Sequence, residues 1–191
     1  MTLNPRLSTF IAGKKGDWII QEVRAVTGEG LSMAQKLQIM EGGSPDPSMA
    51  PVWSLEGVTS HERYTSREEK DQLKSVQPGL GRPEATRAAL IPIRKRPEWW
   101  AMTQDERQKI FTEQSHHTAI GMKYLPAVAR RLYHCRDLAM PQPFDFLTWF
   151  EFAPSEEPAF DRLLEELRAK PEWTFVERET EIRLIRDASK S

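Results

Sequence analysis

Between Ser115 and Phe152 the chain reads SHHTAIGMKYLPAVARRLYHCRDLAMPQPFDFLTWFEF. This stretch sets the pair His116–His117 ahead of Arg130 in an apolar, aromatic-rich surrounding. Neutral imidazole is the commonest side-chain ligand for metals and a frequent axial ligand for haem. A guanidinium directed into an apolar cavity is costly unless an anion meets it. The two together suggest a haem with a proximal histidine and a distal arginine serving a small anionic substrate. If His116 and His117 share a helix, they point about 100° apart, so only one can face a haem. A helix C-terminal histidine pair acting on the helix dipole is the alternative for the doublet. For Arg130 or its neighbour Arg131, the alternative is an ion pair with an Asp or Glu across a hairpin. Adjacent strand residues face opposite sides, so one arginine can do each job.

Elements able to hold these side chains are legible around them. Leu7 to Ala12 and Asp17 to Val26 read as strands, joined by a Gly13–Gly16 turn that suits a hairpin. Leu31 to Met40 has roughly helical apolar spacing, and 41–51 is rich in Gly, Pro and Ser. Val58 to Thr65 reads as a strand, and Ser66 is placed to cap a short helix with Glu68 and Glu69 in its first turn. After the turn-rich QPGLGRP, a strand over Thr86–Arg94 precedes a capping box at Thr103–Glu106 that opens a helix to about Thr118, with Gly121 as a stop. Ala127–Cys135 fits a helical stripe or an alternating strand; strand is chosen because Phe144–Phe152 makes a hairpin partner. An amphipathic helix over Pro158–Ala169 and a strand over Phe175–Ile185 follow. This β-α-β-β-α-β order is that of a ferredoxin-like α+β domain over 84–191. Residues 1–83 form an abbreviated N-terminal half of the same kind.

Bulk properties narrow the function class. The chain has 191 residues, 27 Lys and Arg against 28 Asp and Glu, and a net charge of −1. No basic field or stripe suggests a nucleic-acid partner. The single Cys135 cannot form an internal disulfide, which favours a reducing, cytoplasmic setting. No signal-like segment or membrane span is read from the sequence. CxxCH is absent, which argues against covalently attached c-type haem, and GxxxxGK[ST], GxGxxG, HExxH and zinc-type Cys/His clusters are absent too. His61 and His134 suit structural or exposed positions better than ligation.

The motifs SHHTAIG, YLPAVARRL, YHCRDL and FDFLTWFEF, with QPGLGRPEAT, ALIPIRKRPEWW and LRAKPEWTFVERE, resemble the chlorite dismutase family in its short-chain, dimeric branch. The resemblance spans roughly Leu7 to Arg186. It implies a dimeric α/β barrel, haem b, a homodimer, and conversion of chlorite to chloride and dioxygen with O–O bond formation at a His-ligated iron. In the family the iron ligand precedes the distal arginine by 13 residues, which selects His117 and Arg130 over His116 and Ala129. It further implies Glu172 as acceptor for the ligand's second nitrogen, given a short insertion near 139–143, with Asp161 as fallback. Lys95 on the proximal side, Trp99 beside the haem, Gln77 in the distal pocket and Tyr64 near a propionate complete the set. Other readings are a coproheme decarboxylase, the sister family with glutamine where this chain has Arg130, a peroxidase-like enzyme of the same fold, or a non-catalytic haem-binding protein.

Overall fold

The computed structural model describes residues 6–42, 50–59, 67 and 79–190. Eight strands close into one antiparallel barrel in the order β1-β3-β2-β8-β5-β7-β6-β4. They are β1 (Leu7–Gly13), β2 (Trp18–Thr27), β3 (Lys36–Glu41), β4 (Trp53–Thr59), β5 (Arg87–Lys95), β6 (Val128–His134), β7 (Phe146–Phe152) and β8 (Val176–Arg186). The helices are α1 (Pro97–Ala101), α2 (Gln104–Gln108), α3 (His117–Lys123) and α4 (Glu157–Arg168), with a π-helical segment Lys109–Gln114 between α2 and α3. The order from β5 to β8 is therefore the β-α-β-β-α-β expected, and β6 and β7 form the anticipated antiparallel hairpin.

Strand alternation divides the apolar residues into two cores. One face packs inside the barrel, where Phe10, Trp18, Leu37, Leu55, Leu90, Tyr133, Leu147 and Trp149 meet. Phe10 stands edge-on to Tyr133 at 5.1 Å, and Trp18 edge-on to Trp149 at 5.2 Å. The other face of β5, β6 and β7 carries Ala89, Ile91, Ile93, Val128, Phe150 and Phe152 against helix α4. From α4 come Phe160, Leu163, Leu164 and Leu167, all buried. This i, i+3, i+4, i+7 stripe is why the segment is helical, and each such side chain contributes about 1.5–3 kcal/mol on burial.

Several expectations need correction. Leu31–Met40 is not a helix: the chain is irregular to Gln35 and enters strand β3 at Lys36. Only alternate positions of this strand face the barrel, and Leu37 is fully buried there, so the apparent helical spacing was a coincidence of a short window. Strands β1 and β2 do not pair with one another; β3 lies between them. Gly16, at φ +153°, brings its backbone so near the Leu37 carbonyl that a Cβ would lie 2.2 Å from the oxygen, a crossing only glycine permits. Strand β4 begins at Trp53, five residues ahead of the expected Val58. Tyr64, Gln77, the second part of the expected 58–65 strand and the Ser66-capped helix lie outside the described residues, as does most of the 41–51 loop.

The expected helix from Thr103 to Thr118 is also not continuous. Its capping box is present, with Thr103 N–H donating to Glu106 Oε2 at 2.7 Å. The helix then widens into the π-helical segment and breaks at His116, whose φ is +50°. A new helix starts at His117 and runs through Gly121, which is an interior position rather than a stop.

Candidate active site

A cavity of about 600 Å³ opens between the outer sheet face and the helices. Its apolar walls include Ile91, Ile93, Phe150 and the α4 leucines, and its polar groups include Lys95, His117, Arg130 and Glu172. Size and lining are those of a site for a mainly apolar ligand held by a few placed polar atoms.

The break before α3 decides which histidine serves the cavity. His116, in the left-handed conformation, is exposed, whereas His117 is half-buried on the cavity wall. His117 Nδ1 lies 2.7 Å from Glu172 Oε2. A carboxylate only accepts, so Nδ1 carries the hydrogen and Nε2 is the nitrogen available for a metal. The ring stacks on Phe111 at 4.3 Å and lies nearly parallel to Trp173 at 6.2 Å. Phe111 comes from the π-helical segment, where one extra residue per turn shifts side-chain directions from those of a regular helix.

Glu172 is 4 % exposed. Its second oxygen accepts from Lys95 Nζ at 2.7 Å, and its backbone N–H donates to Ser115 Oγ at 3.0 Å. Burial pushes its carboxyl up, but the adjoining His117 and Lys95, with the hydrogen bonds both donate, outweigh this and hold it at about 2. Lys95 is equally buried, with its ammonium over the faces of Trp99 at 4.6 Å and Trp173 at 5.5 Å. These cation–π contacts offset part of the cost of a buried charge. Its backbone is fixed where β5 and β8 shift register, by N–H donation to Asp145 Oδ2 at 2.7 Å. Trp99 is buried beside Lys95.

Arg130 reaches the same cavity from β6. A Cβ added to Gly121 would come within 3.3 Å of its Nη1, so the bare glycine makes room for the guanidinium. Arg131 pairs with Glu41 of β3 at 3.0 Å, and both also line the cavity. Asp161 does not approach His117; it is half-exposed and binds Arg183 at 2.7 Å. His134 is buried on the cavity wall, edge-on to Phe146 at 5.3 Å.

The structure thus brings together His117, Lys95, Trp99, Glu172 and Arg130. Phe111, Asp145 and Trp173 belong to the same constellation and were not singled out from sequence. Trp173 had a signal, since it adjoins Glu172 in KPEW; the other two depend on packing across the chain. Among the described residues no group of three or more His, Cys, Asp or Glu could hold a bare ion. One imidazole with its second nitrogen fixed, at an apolar cavity, is a donor set that fits a metal whose remaining ligands come from a macrocycle. No described helix is long and apolar enough to cross a membrane.

Comparison with known proteins identifies the family. A dimeric chlorite dismutase from Nitrobacter winogradskyi is 56% identical, with a TM-score of 0.86 over 94% of this chain and 99% of that one. A chlorite dismutase from Candidatus Nitrospira defluvii, in complex with imidazole, shares the fold at a TM-score of 0.63 and 21% identity, covering 96% of this chain and 92% of that one. The chlorite dismutase of Ideonella dechloratans is 33% identical over 121 residues, which take in 62% of this chain but 40% of that longer relative. The family model for chlorite dismutase matches residues 11–186, and the chain belongs to that family.

Proposed function

We propose that the protein is a haem b-dependent chlorite O2-lyase that converts chlorite into chloride and dioxygen. One observation carries the reading: the Lys95–Glu172–His117 chain and Arg130 converge on one apolar cavity. When bound, haem b would supply the redox chemistry of Cl–O cleavage and O–O bond formation. The overall change, ClO2− to Cl− and O2, balances without any external reductant or oxidant.

The residues have separable tasks. His117 offers Nε2 to the iron, and Glu172 fixes the ring by accepting from Nδ1. Lys95 compensates the glutamate's charge, so the pair enters the apolar site without an unpaired anion. Arg130 is permanently cationic and offers a planar set of donors to a small anion. It would hold chlorite, and the chlorine–oxygen fragment derived from it, in place until the second bond forms. Apolar walls exclude water and strengthen that attraction. A homodimer is part of this reading, supported by the dimeric Nitrobacter relative. A cytoplasmic setting is supported by the single cysteine, Cys135, which is buried with its thiol pushed up to about 12 by desolvation.

The test is an oxygen-electrode trace on haem-loaded protein given chlorite, with chloride quantified. One dioxygen and one chloride per chlorite are expected. Arg130→Ala should keep its haem and lose at least about tenfold in oxygen release, a loss of one donor worth ~1.4 kcal/mol or more at the transition state. Haem-loaded wild type that releases no oxygen would overturn the lyase reading.

A further inference from the structure

Trp173 lies against the imidazole of His117, and something must hold the indole there. Its Nε1–H donates to Glu179 Oε2 at 2.8 Å. Glu179 sits on β8 and is 0 % exposed. Its other oxygen accepts two hydrogen bonds from Arg168, at 2.9 Å from Nε and 2.6 Å from Nη2. Arg168 ends helix α4 and is itself held by Glu181 at 2.7 Å. A fully buried carboxylate is costly, and a buried ion pair is often no more stable than a well-packed apolar pair in its place. This one has one oxygen locked by a guanidinium and the other directed at an indole. That indole lies at 17° to the His117 ring and under the Lys95 ammonium.

We propose that Glu179 is a positioning residue for the axial histidine, acting through Trp173: it anchors the indole edge, and the indole face limits the tilt of the imidazole. The inference rests on the reading of His117 as the haem ligand. In-plane rotation of the ring is set by Glu172, while Phe111 at 4.3 Å and the Glu179–Trp173 arm at 6.2 Å each bring an aromatic ring nearly parallel to it. The arm reaches the site from the barrel wall, so the imidazole is referenced to a rigid strand as well as to its own short helix.

The experiment is resonance Raman spectroscopy of the ferrous, haem-loaded protein, reading the iron–imidazole stretching band. Glu179→Leu removes the acceptor and is expected to broaden or shift the band. Trp173→Phe keeps an aromatic face without an N–H and is expected to do the same. Glu179→Gln keeps an acceptor oxygen and should retain the wild-type band. The double variant E179L/W173F should match W173F alone, because the effect passes through the indole. An E179L shift that persists undiminished in the W173F background would overturn the proposal, as would an unmoved band in E179L. If E179L does not fold, W173F decides: an unmoved band there overturns the proposal. Absence of any iron–imidazole band from wild type would instead overturn the haem-ligand reading itself.

Discussion

Helix α4 separates two depressions of similar volume, about 600 Å³ on the side of His117 and about 660 Å³ on the side of Arg183. Each contains a carboxylate held at about 2. Glu172 is held there against burial by His117 and Lys95; Glu181 is held there against burial by Arg24, Arg168 and Arg183. A depressed carboxylate therefore does not mark which depression does chemistry. What differs is what the partners have left over. Around Glu181 the cations answer further acids: Arg168 binds Glu179 and Arg183 binds Asp161. Around Glu172, the His117 ring still has Nε2 to offer at an apolar wall that Arg130 also faces. The first network closes on itself, whereas the second ends in a donor atom at a cavity.

The comparison is broken most severely by removing the two glutamates in turn. Glu172→Ala leaves Lys95 buried without its anion and should cost about 3–5 kcal/mol in urea unfolding. Glu181→Ala should cost less, about 1–3 kcal/mol, because Arg168 keeps Glu179, Arg183 keeps Asp161, and Arg24 is half-exposed to solvent. Equal losses would erase the distinction between the two networks.

Acid titration sharpens the Glu181 side. Its native carboxyl is depressed from 4.5 to about 2, so the unfolded chain takes up the proton first as pH falls. The stabilisation is complete above about pH 4.5 and is lost between there and pH 2. In melting temperature against pH, Glu181→Gln should show a shallower acid fall than wild type over that window. Parallel curves would show that the glutamate's charge contributes nothing there.

The smallest change in stability should accompany a clear change in function. Gly121 is interior to α3, so Gly121→Ala gains up to about 1 kcal/mol of helix propensity. The new methyl would meet the Arg130 guanidinium at 3.3 Å and displace the end of that flexible side chain. An unchanged or slightly raised melting temperature with reduced oxygen release is expected. Full oxygen release would show that the position of the guanidinium is not critical.

Much of this arrangement was legible in the chain. The α4 stripe and the capping box at Thr103 are local patterns with one physical solution each, and β6, ambiguous alone, was settled by its hairpin partner β7. His117, Arg130 and Glu172 were reached through the motif resemblance, and they share one cavity. What escaped was non-local or irregular. Nothing near Leu31 announces that β3 must fill the gap between β1 and β2. The π-helical segment that brings Phe111 onto His117 breaks the helical spacing on which sequence reading depends. Asp145 and Glu179 read as ordinary carboxylates until the barrel brings Lys95 to one and Trp173 to the other.

The central claim is that His117, oriented by Glu172, is the sole protein ligand to a haem. The direct measurement is haem titration of wild type and His117→Ala, read as the ratio of Soret to protein absorbance. The account predicts saturation at one haem per chain for wild type and a ratio near baseline for the variant. Full, stable haem occupancy in His117→Ala would contradict it.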